Sequence, residues 1–124
     1  MFSFLRASRS GSAHVERIDP KEAVRRAMSG EVVLLDVRDA NELRATGRAA
    51  GAVHVPMMAL RMKCDPSSPE CLPEFKTGKP IVVYCATGAR SQGAGQMLLT
   101  MGHGPVFNLG GLMHWQAAGG AITR

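Results

Sequence analysis

Aromatic residues and long apolar runs are both scarce in this sequence, and each shortage excludes a class of partner. Aromatic residues make up 5% of the 124 residues, and the arginines are scattered along the chain. A groove for single-stranded nucleic acid needs stacking aromatics on a basic track, so we expect no nucleic acid partner. No stretch approaches the roughly 18 uninterrupted apolar residues of a membrane span, and the apolar start at residues 1–5 is too short for a signal peptide. We therefore predict a cytoplasmic protein with no membrane partner.

Cysteine is also scarce, since the chain has only Cys64, Cys71 and Cys85. So small and odd a number does not build the disulfide framework of a secreted scaffold, which favours a reducing compartment. Six residues separate Cys64 from Cys71, unlike the short Cys-x-x-Cys pairs common in zinc sites, so we predict no metal site. We predict a long surface loop over residues 62–79, mobile between Cys64 and Cys71, in which both cysteines are exposed bystander thiols whose pKa values Asp65 and Glu70 raise. The alternative is that this loop folds over Cys85 and one of the two thiols reacts there.

Length and composition fit one globular domain. The chain is 45% hydrophobic and 20% charged, both ordinary values, and 124 residues leave no room for a second domain. Residues 1–14 carry arginines and serines but no acidic residue and no periodicity. We predict a flexible leader over residues 1–14 and a single domain over residues 15–124. The net charge of +5 eases contact with small anions and acidic partners.

Strand-like and helix-like segments alternate along the domain. Residues 32–35 and 81–84 are continuous apolar runs typical of strands covered on both faces, and shorter strand patterns lie at residues 15–18, 52–55 and 106–108. Asp19 and Asp39 are predicted N-caps of helices that end at Gly30 and near Gly47. Further helices follow residue 90 and cover residues 110–118. The alternation predicts an α/β domain with a central parallel sheet, helices on both faces and right-handed crossovers.

The segment with the clearest chemical signal runs from Cys85 to the first turn of the following helix. In open parallel sheets, ligands bind beyond the carboxyl ends of the strands, where a helix N-terminus offers unpaired N–H groups and a positive dipole. Those N–H groups, the dipole and the Arg90 charge predict a lowered pKa for Cys85, and so a thiolate nucleophile at neutral pH. The alternative, a buried structural cysteine, needs neither a glycine-containing loop nor a following arginine.

Other polar residues near this segment have less specific readings. Arg90 faces the positive end of the helix dipole, so an anionic partner is predicted for it. Thr87 either donates its hydroxyl to a sulfur anion or is an ordinary turn residue, and the sequence does not choose between the two. His54, His103 and His114 have no carboxylate partner nearby in sequence and are expected to be packing or surface residues.

At these residues the chain resembles the single-domain rhodanese family, a sulfurtransferase module whose active-site loop reads Cys, four residues, Arg. Residues 85–90 match that loop. The family's other two signatures are similar to Asp36-Val37-Arg38, followed by Glu42 and Gly51-Ala52-Val53-His54-Val55-Pro56, and to Asn108-Leu109-Gly110-Gly111 with Trp115. The three motifs occur in the family's order across residues 15–118. Residues 47–52 read Gly-Arg-Ala-Ala-Gly-Ala where the family usually has Gly-His-Ile-Pro-Gly-Ala, which predicts thinner apolar packing there.

The resemblance implies a ping-pong sulfur transfer. Cys85 would take a sulfane sulfur from a donor such as thiosulfate, form a persulfide, and pass the sulfur to cyanide, a thiol or a protein acceptor. Arg90 would orient the donor's oxyanion, and no metal or organic cofactor is implied. The implied substrate and persulfide-binding loop consists of Ala86, Thr87, Gly88, Ala89 and Ser91. A structural, non-catalytic charge network is expected of Asp36, Arg38 and Glu42.

Two other functions are weighed against sulfur transfer. A persulfide carrier or interaction module could use the same fold without turnover, but a purely structural module needs neither Cys85 nor Arg90. Related phosphatases and arsenate reductases carry five residues between Cys and Arg, whereas this chain has four. The shorter loop predicts a ring of N–H groups sized for one sulfur atom, and the loop holds no acidic residue to protonate a leaving alcohol.

Overall fold

Five parallel strands form the central sheet of the computed structural model, which describes residues 14–124. Residues 1–13, nearly all of the predicted leader, lie outside the described residues. The central sheet has the order β1-β6-β5-β2-β4, and β3 pairs with β7 in a separate antiparallel ribbon. The strands are β1 (Glu16–Arg17), β2 (Val33–Asp36), β3 (Arg48–Ala49), β4 (Val53–His54), β5 (Ile81–Cys85), β6 (Val106–Gly111) and β7 (Ile122–Thr123).

Helices cover both faces of this sheet, as the alternating pattern predicts. They are α1 (Pro20–Met28), α2 (Ala40–Thr46), α3 (Leu60–Cys64), α4 (Ala89–Thr100) and α5 (Leu112–Ala117), with 3₁₀ turns at Met57–Ala59 and Pro73–Lys76. Successive strand residues face opposite sides, so Val33 and Leu35 pack in the same core as Leu98 of α4. Leu34 packs in the other core with Trp115 of α5. In the described residues 14–124, no helix is long and apolar enough to cross a membrane.

The two predicted helix caps have different outcomes. The Asp39 carboxylate accepts a hydrogen bond from the Glu42 N–H at 3.0 Å, and the Glu42 carboxylate accepts one from the Asp39 N–H at 3.1 Å. This reciprocal capping box satisfies two N–H groups that the helix itself leaves unpaired. Asp19 occupies the N-cap position of α1, but its side chain makes no capping hydrogen bond. There Pro20 takes the first helical position, and it has no N–H to be capped.

The prediction that Cys64 and Cys71 are exposed thiols is wrong, although most residues of the segment 62–79 lie on the surface as predicted. The Leu72 N–H donates to the Lys63 carbonyl at 2.9 Å, which folds the segment back against α3. Cys64 has no exposed surface and Cys71 is 9% exposed, because both pack in the core with Phe75. Burial, assisted by the neighbouring Cys71 thiol, raises the pKa of Cys64 to about 12. Burial rather than the acidic neighbours therefore suppresses its reactivity.

A buried ion pair lies where the central sheet meets the β3–β7 ribbon. The Arg38 guanidinium donates from Nη2 to Asp36 Oδ2 at 2.8 Å and from Nε to Oδ1 at 3.1 Å, and both side chains are almost fully buried. The Tyr84 hydroxyl donates to the same carboxylate at 2.6 Å and accepts from the Ala49 N–H at 2.9 Å. Arg38 also donates to the Gly47 carbonyl at 2.8 Å. The expected network of Asp36 and Arg38 is therefore present.

We predict that Arg38→Met lowers the free energy of unfolding by about 3 kcal/mol or more, because it leaves the buried Asp36 carboxylate without its cation. Urea denaturation measures this loss. The matched control is Arg25→Met, which removes an exposed arginine paired with Glu22 and Glu31 on the protein surface and should change stability little. Equal losses in the two variants would show that the buried pair has no special role.

Candidate active site

Cys85 ends β5 at the carboxyl edge of the sheet, and α4 begins only four residues later at Ala89. The turn between them needs glycine at Gly88, whose φ of 105° lies in the left-handed region. A Cβ atom on Gly88 would also lie 3.3 Å from the Gly110 Cα, because β6 runs beside β5 here. The tight turn therefore directs the N–H groups at the start of α4 back toward the cysteine.

These N–H groups converge on the Cys85 sulfur. The Gly88 N–H donates to Sγ at 3.0 Å and the Ser91 N–H at 3.3 Å, and the Ser91 hydroxyl oxygen lies 3.4 Å from Sγ. Burial raises the pKa of Cys85, but hydrogen bonds from the Ser91 hydroxyl and from the N–H groups of Ser91, Gly88 and Thr87 outweigh it. The pKa of the thiol is therefore held below its ordinary value, as the sequence predicts, and the main cause is direct hydrogen bonding.

Arg90 is held by Glu42 rather than left to solvent. Its Nη1 and Nη2 atoms donate to the two carboxylate oxygens of Glu42, both at 2.8 Å. Arg90 and the Asp39 N–H together lower the pKa of Glu42 to about 2. Glu42 makes no hydrogen bond to Arg38, because the Arg38 guanidinium donates to Asp36, Thr46 and Gly47. Glu42 joins the expected charge network only through the attraction between its charge and that of Arg38. The Glu42 carboxylate of the same chain is therefore one anionic partner of Arg90, as predicted for this arginine.

Asn108 is a site residue that the sequence analysis treats only as part of a signature. Its side-chain oxygen accepts from the Ser91 hydroxyl at 2.7 Å and from the Gly110 N–H at 2.9 Å. Its amide nitrogen donates to the Gly88 carbonyl at 3.0 Å and to Gln92 Oε1 at 3.1 Å. One side chain of β6 therefore joins the turn, the first helical residues of α4 and the end of its own strand. An asparagine two residues before the pair Gly110-Gly111 at the end of a strand was the available signal.

The remaining polar candidates have structural roles. Thr87 Oγ1 accepts from the Ala89 N–H at 3.5 Å, which is a turn contact, and only its main-chain N–H faces the sulfur. His54 and His103 each bind a carbonyl oxygen through Nε2, and His114 Nδ1 accepts from the Gly111 N–H at 3.0 Å. In the part of the chain that the structure describes, no three His, Cys, Asp or Glu residues form a group that could hold a metal.

The Cys85 sulfur is covered by its own loop. Cys85 and Ser91 have no exposed surface, whereas Ala86, Thr87 and Ala89 are exposed. The arrangement provides an ionisable sulfur, a ring of N–H donors and a fixed guanidinium, which together suit nucleophilic attack on a small anionic substrate.

Comparison with other proteins identifies relatives that span this site. The family model of the rhodanese-like domain matches residues 19–118. A sulfurtransferase of Allochromatium vinosum is 32% identical over 107 residues, covering 85% of this chain and 92% of the relative. A thiosulfate sulfurtransferase of Coxiella burnetii is 30% identical over 103 residues, covering 82% and 88%. A solved structure from Rhodopseudomonas palustris, described as a protein of unknown function and possible tyrosine phosphatase, has a TM-score of 0.78 at 35% identity, covering 88% of this chain and 85% of that one.

We predict that Glu42→Gln removes part of the acid sensitivity of the fold. The pKa of Glu42 is about 2 in the folded protein and about 4.3 in an unfolded chain, so its ion pair stabilises the fold above about pH 5 and is lost as the pH falls toward 2. Glutamine keeps the capping box but not the charge. Urea unfolding at pH 6 and pH 3 should therefore show a smaller pH difference in the variant than in the wild type.

The matched control for this measurement is Glu74→Gln, an exposed glutamate that makes no ion pair within residues 14–124. It should leave the pH dependence of unfolding unchanged. Parallel pH profiles for wild type and Glu42→Gln would contradict the role given to the Glu42–Arg90 pair.

Proposed function

Because the chain belongs to the rhodanese-like domain family, we propose that it is a sulfurtransferase that works through a persulfide on Cys85. The observation that carries this proposal is the set of N–H donors from Gly88 and Ser91 on the Cys85 sulfur, at 3.0 and 3.3 Å. Such a ring stabilises a negative charge on sulfur without a neighbouring base. The two sulfurtransferase relatives, at 32% and 30% identity over most of the chain, support the same chemistry.

The first half-reaction transfers one sulfur atom to the enzyme. The Cys85 thiolate attacks the outer sulfur of a donor such as thiosulfate, an S–S bond forms to Cys85, the donor's own S–S bond breaks, and sulfite leaves with the electron pair. The negative charge now lies on the outer sulfur of the persulfide, where the N–H groups of residues 86–91 hold it. Thiosulfate is the proposed donor because the Coxiella burnetii relative is a thiosulfate sulfurtransferase.

The second half-reaction returns the enzyme to its starting state. Cyanide, a small thiol or a thiol on a protein attacks the outer sulfur, a new bond to sulfur forms, and the persulfide S–S bond breaks. Cys85 leaves as a thiolate, and the donors that lower its pKa also make it a better leaving group. This exchange of sulfur between nucleophiles requires neither a metal nor an organic cofactor.

Arg90 is proposed to orient the oxyanion of the donor. A guanidinium has five N–H donors, and Glu42 receives two of them, so three remain for a ligand. The two parallel bonds to Glu42 fix the plane of the guanidinium beside the loop. The donor thus meets a cation whose position is set before it arrives, which reduces the cost of ordering the complex.

Phosphate ester hydrolysis is the second candidate, because the similar Rhodopseudomonas palustris structure is described as a possible tyrosine phosphatase. Such hydrolysis needs a general acid to protonate the leaving alcohol. The carboxylate bound beside the loop is Glu42, and its pKa of about 2 keeps it ionised near neutral pH. The loop also has only four residues between Cys85 and Arg90. Both observations favour sulfur transfer over phosphoryl transfer.

We predict that Cys85→Ser abolishes the formation of thiocyanate from thiosulfate and cyanide. A serine hydroxyl does not ionise near neutral pH, whereas the small side chain fits the same loop. The matched control is Cys71→Ser, which should keep nearly full turnover because that thiol donates to the Leu72 carbonyl, whereas the loop N–H groups bind the Cys85 sulfur. Turnover retained in Cys85→Ser would refute the mechanism, and binding without turnover in the wild type would favour a carrier.

We also predict that Arg90→Lys lowers kcat/KM for thiosulfate by about tenfold, because lysine keeps the charge but loses the planar fork that grips an oxyanion and Glu42 together. Steady-state kinetics measure the effect, and the midpoint of thermal unfolding shows whether the fold has changed. The control Arg44→Lys alters an exposed arginine of α2 and should leave kcat/KM unchanged. An unaltered kcat/KM in Arg90→Lys would mean that the backbone alone holds the donor.

A further inference from the structure

The orientation of the Asn108 amide is fixed by its four partners. The Gly110 main chain offers an N–H at 2.9 Å, which requires the amide oxygen on that side. The Gly88 carbonyl at 3.0 Å requires the amide nitrogen on the other. The Ser91 hydroxyl lies on the oxygen side at 2.7 Å, so it must be the donor in that contact.

This assignment decides where the single Ser91 hydroxyl proton is. Ser91 Oγ lies 2.7 Å from Asn108 Oδ1 and 3.4 Å from the Cys85 sulfur, and one proton cannot serve both acceptors. In the orientation that the distances favour, Ser91 gives its proton to Asn108 and turns a lone pair toward the sulfur. That lone pair accepts a hydrogen bond from a Cys85 thiol but repels a thiolate.

We propose that Asn108 is a positioning residue for the Ser91 hydroxyl. Asn108 accepts the Ser91 hydrogen bond whenever the Cys85 sulfur is uncharged, and the hydroxyl turns to donate to the sulfur when Cys85 is a thiolate. The inference rests on the proposed function of Cys85 and adds a residue to it. Asn108 can release the proton at low cost, because its oxygen keeps the Gly110 N–H as a partner. The thiolate gains a charge-assisted hydrogen bond, which is stronger than the neutral bond given up.

The proposal gives Asn108 a different effect on each state of Cys85. In the thiolate, the Ser91 hydroxyl points to sulfur and its bond to Asn108 is lost. In the persulfide, the charge has moved to the outer sulfur, so the inner sulfur is uncharged and the Ser91 proton returns to Asn108. Asn108 therefore stabilises the persulfide relative to the free thiolate, which favours the step that loads sulfur onto the enzyme.

The test measures the pH dependence of Cys85 alkylation by iodoacetamide, read on the Cys85 peptide by mass spectrometry. Ser91→Ala should slow alkylation at neutral pH by about fivefold in the wild-type background, since Asn108 competes there for the hydroxyl proton. In the Asn108→Ala background the same change should slow it by about tenfold or more, because the competitor is gone. A structural role for Asn108 predicts instead an equal or smaller Ser91 effect.

Asn108→Asp provides a second variant with the opposite expected result. Its carboxylate keeps both acceptor contacts and holds the Ser91 proton more strongly, so the Ser91→Ala effect on alkylation should shrink to less than about twofold. The matched control is Gln92→Ala, which removes one partner of the Asn108 amide nitrogen and leaves the oxygen side intact. It should keep the fivefold effect. All the variants retain the ion pair of Arg90 with Glu42. The negative charge that Asn108→Asp adds is present with either side chain at position 91, so it cancels when the two alkylation rates are compared.

The persulfide is tested separately in mixtures of thiosulfate and sulfite. Asn108→Ala should shift the equilibrium from persulfide toward thiolate by about fivefold, and the shift should disappear when Ser91 is alanine. Ser91 effects that are equal in all backgrounds would overturn the proposal. If alkylation shows the expected coupling but no persulfide forms, then the sulfurtransferase function fails, while the switch of the Ser91 hydrogen bond between Asn108 and Cys85 stands.

Discussion

The chemistry of this protein depends on the hydrogen bonds that its fold directs to one buried sulfur atom. A thiol without exposed surface would ordinarily stay protonated, because burial penalises the charged form. Here the Gly88 and Ser91 N–H groups and the Ser91 hydroxyl lie within 3.4 Å of the Cys85 sulfur and reverse that preference. Their convergence depends on where β5 ends, on the left-handed turn at Gly88 and on the start of α4 immediately after it. A parallel sheet provides such an edge, and the short loop makes it tight.

Two ion pairs support this edge in different ways. Asp36 and Arg38 are buried at the end of β2, and together with the Tyr84 hydroxyl they fix the strand next to β5 from inside. Glu42 and Arg90 are partly exposed and join α2 to α4 beside the loop. The buried pair stabilises the fold, since the loss of one partner leaves the other charge buried and unpaired. The partly exposed pair fixes the position of the Arg90 guanidinium beside the loop.

Much of the fold and the centre of the site could be predicted from the sequence, because those features are local. The apolar run before Cys85, the glycine in the turn and the arginine that follows lie close together in sequence, and they predict the strand, loop and helix that the structure has.

The partner of Glu42 could not be predicted, since Arg38 and Arg90 were both available and only the packed structure shows that the Arg38 donors are already used. Cys64 and Cys71 are buried in a segment that a main-chain hydrogen bond from Leu72 to Lys63 folds back, and no side-chain pattern predicts such a bond. The β3–β7 ribbon has two residues in each strand, too few for a periodicity.

We propose that the donors around Cys85 make its sulfur the atom that receives a sulfane sulfur and passes it on. Intact mass measurement of the wild-type protein after incubation with thiosulfate, without an acceptor, tests this claim most directly. We expect a gain of one sulfur atom per chain, located on the peptide that contains Cys85 and removed when cyanide is added. A protein whose mass does not change, or one that carries the added sulfur on Cys64 or Cys71, would contradict it.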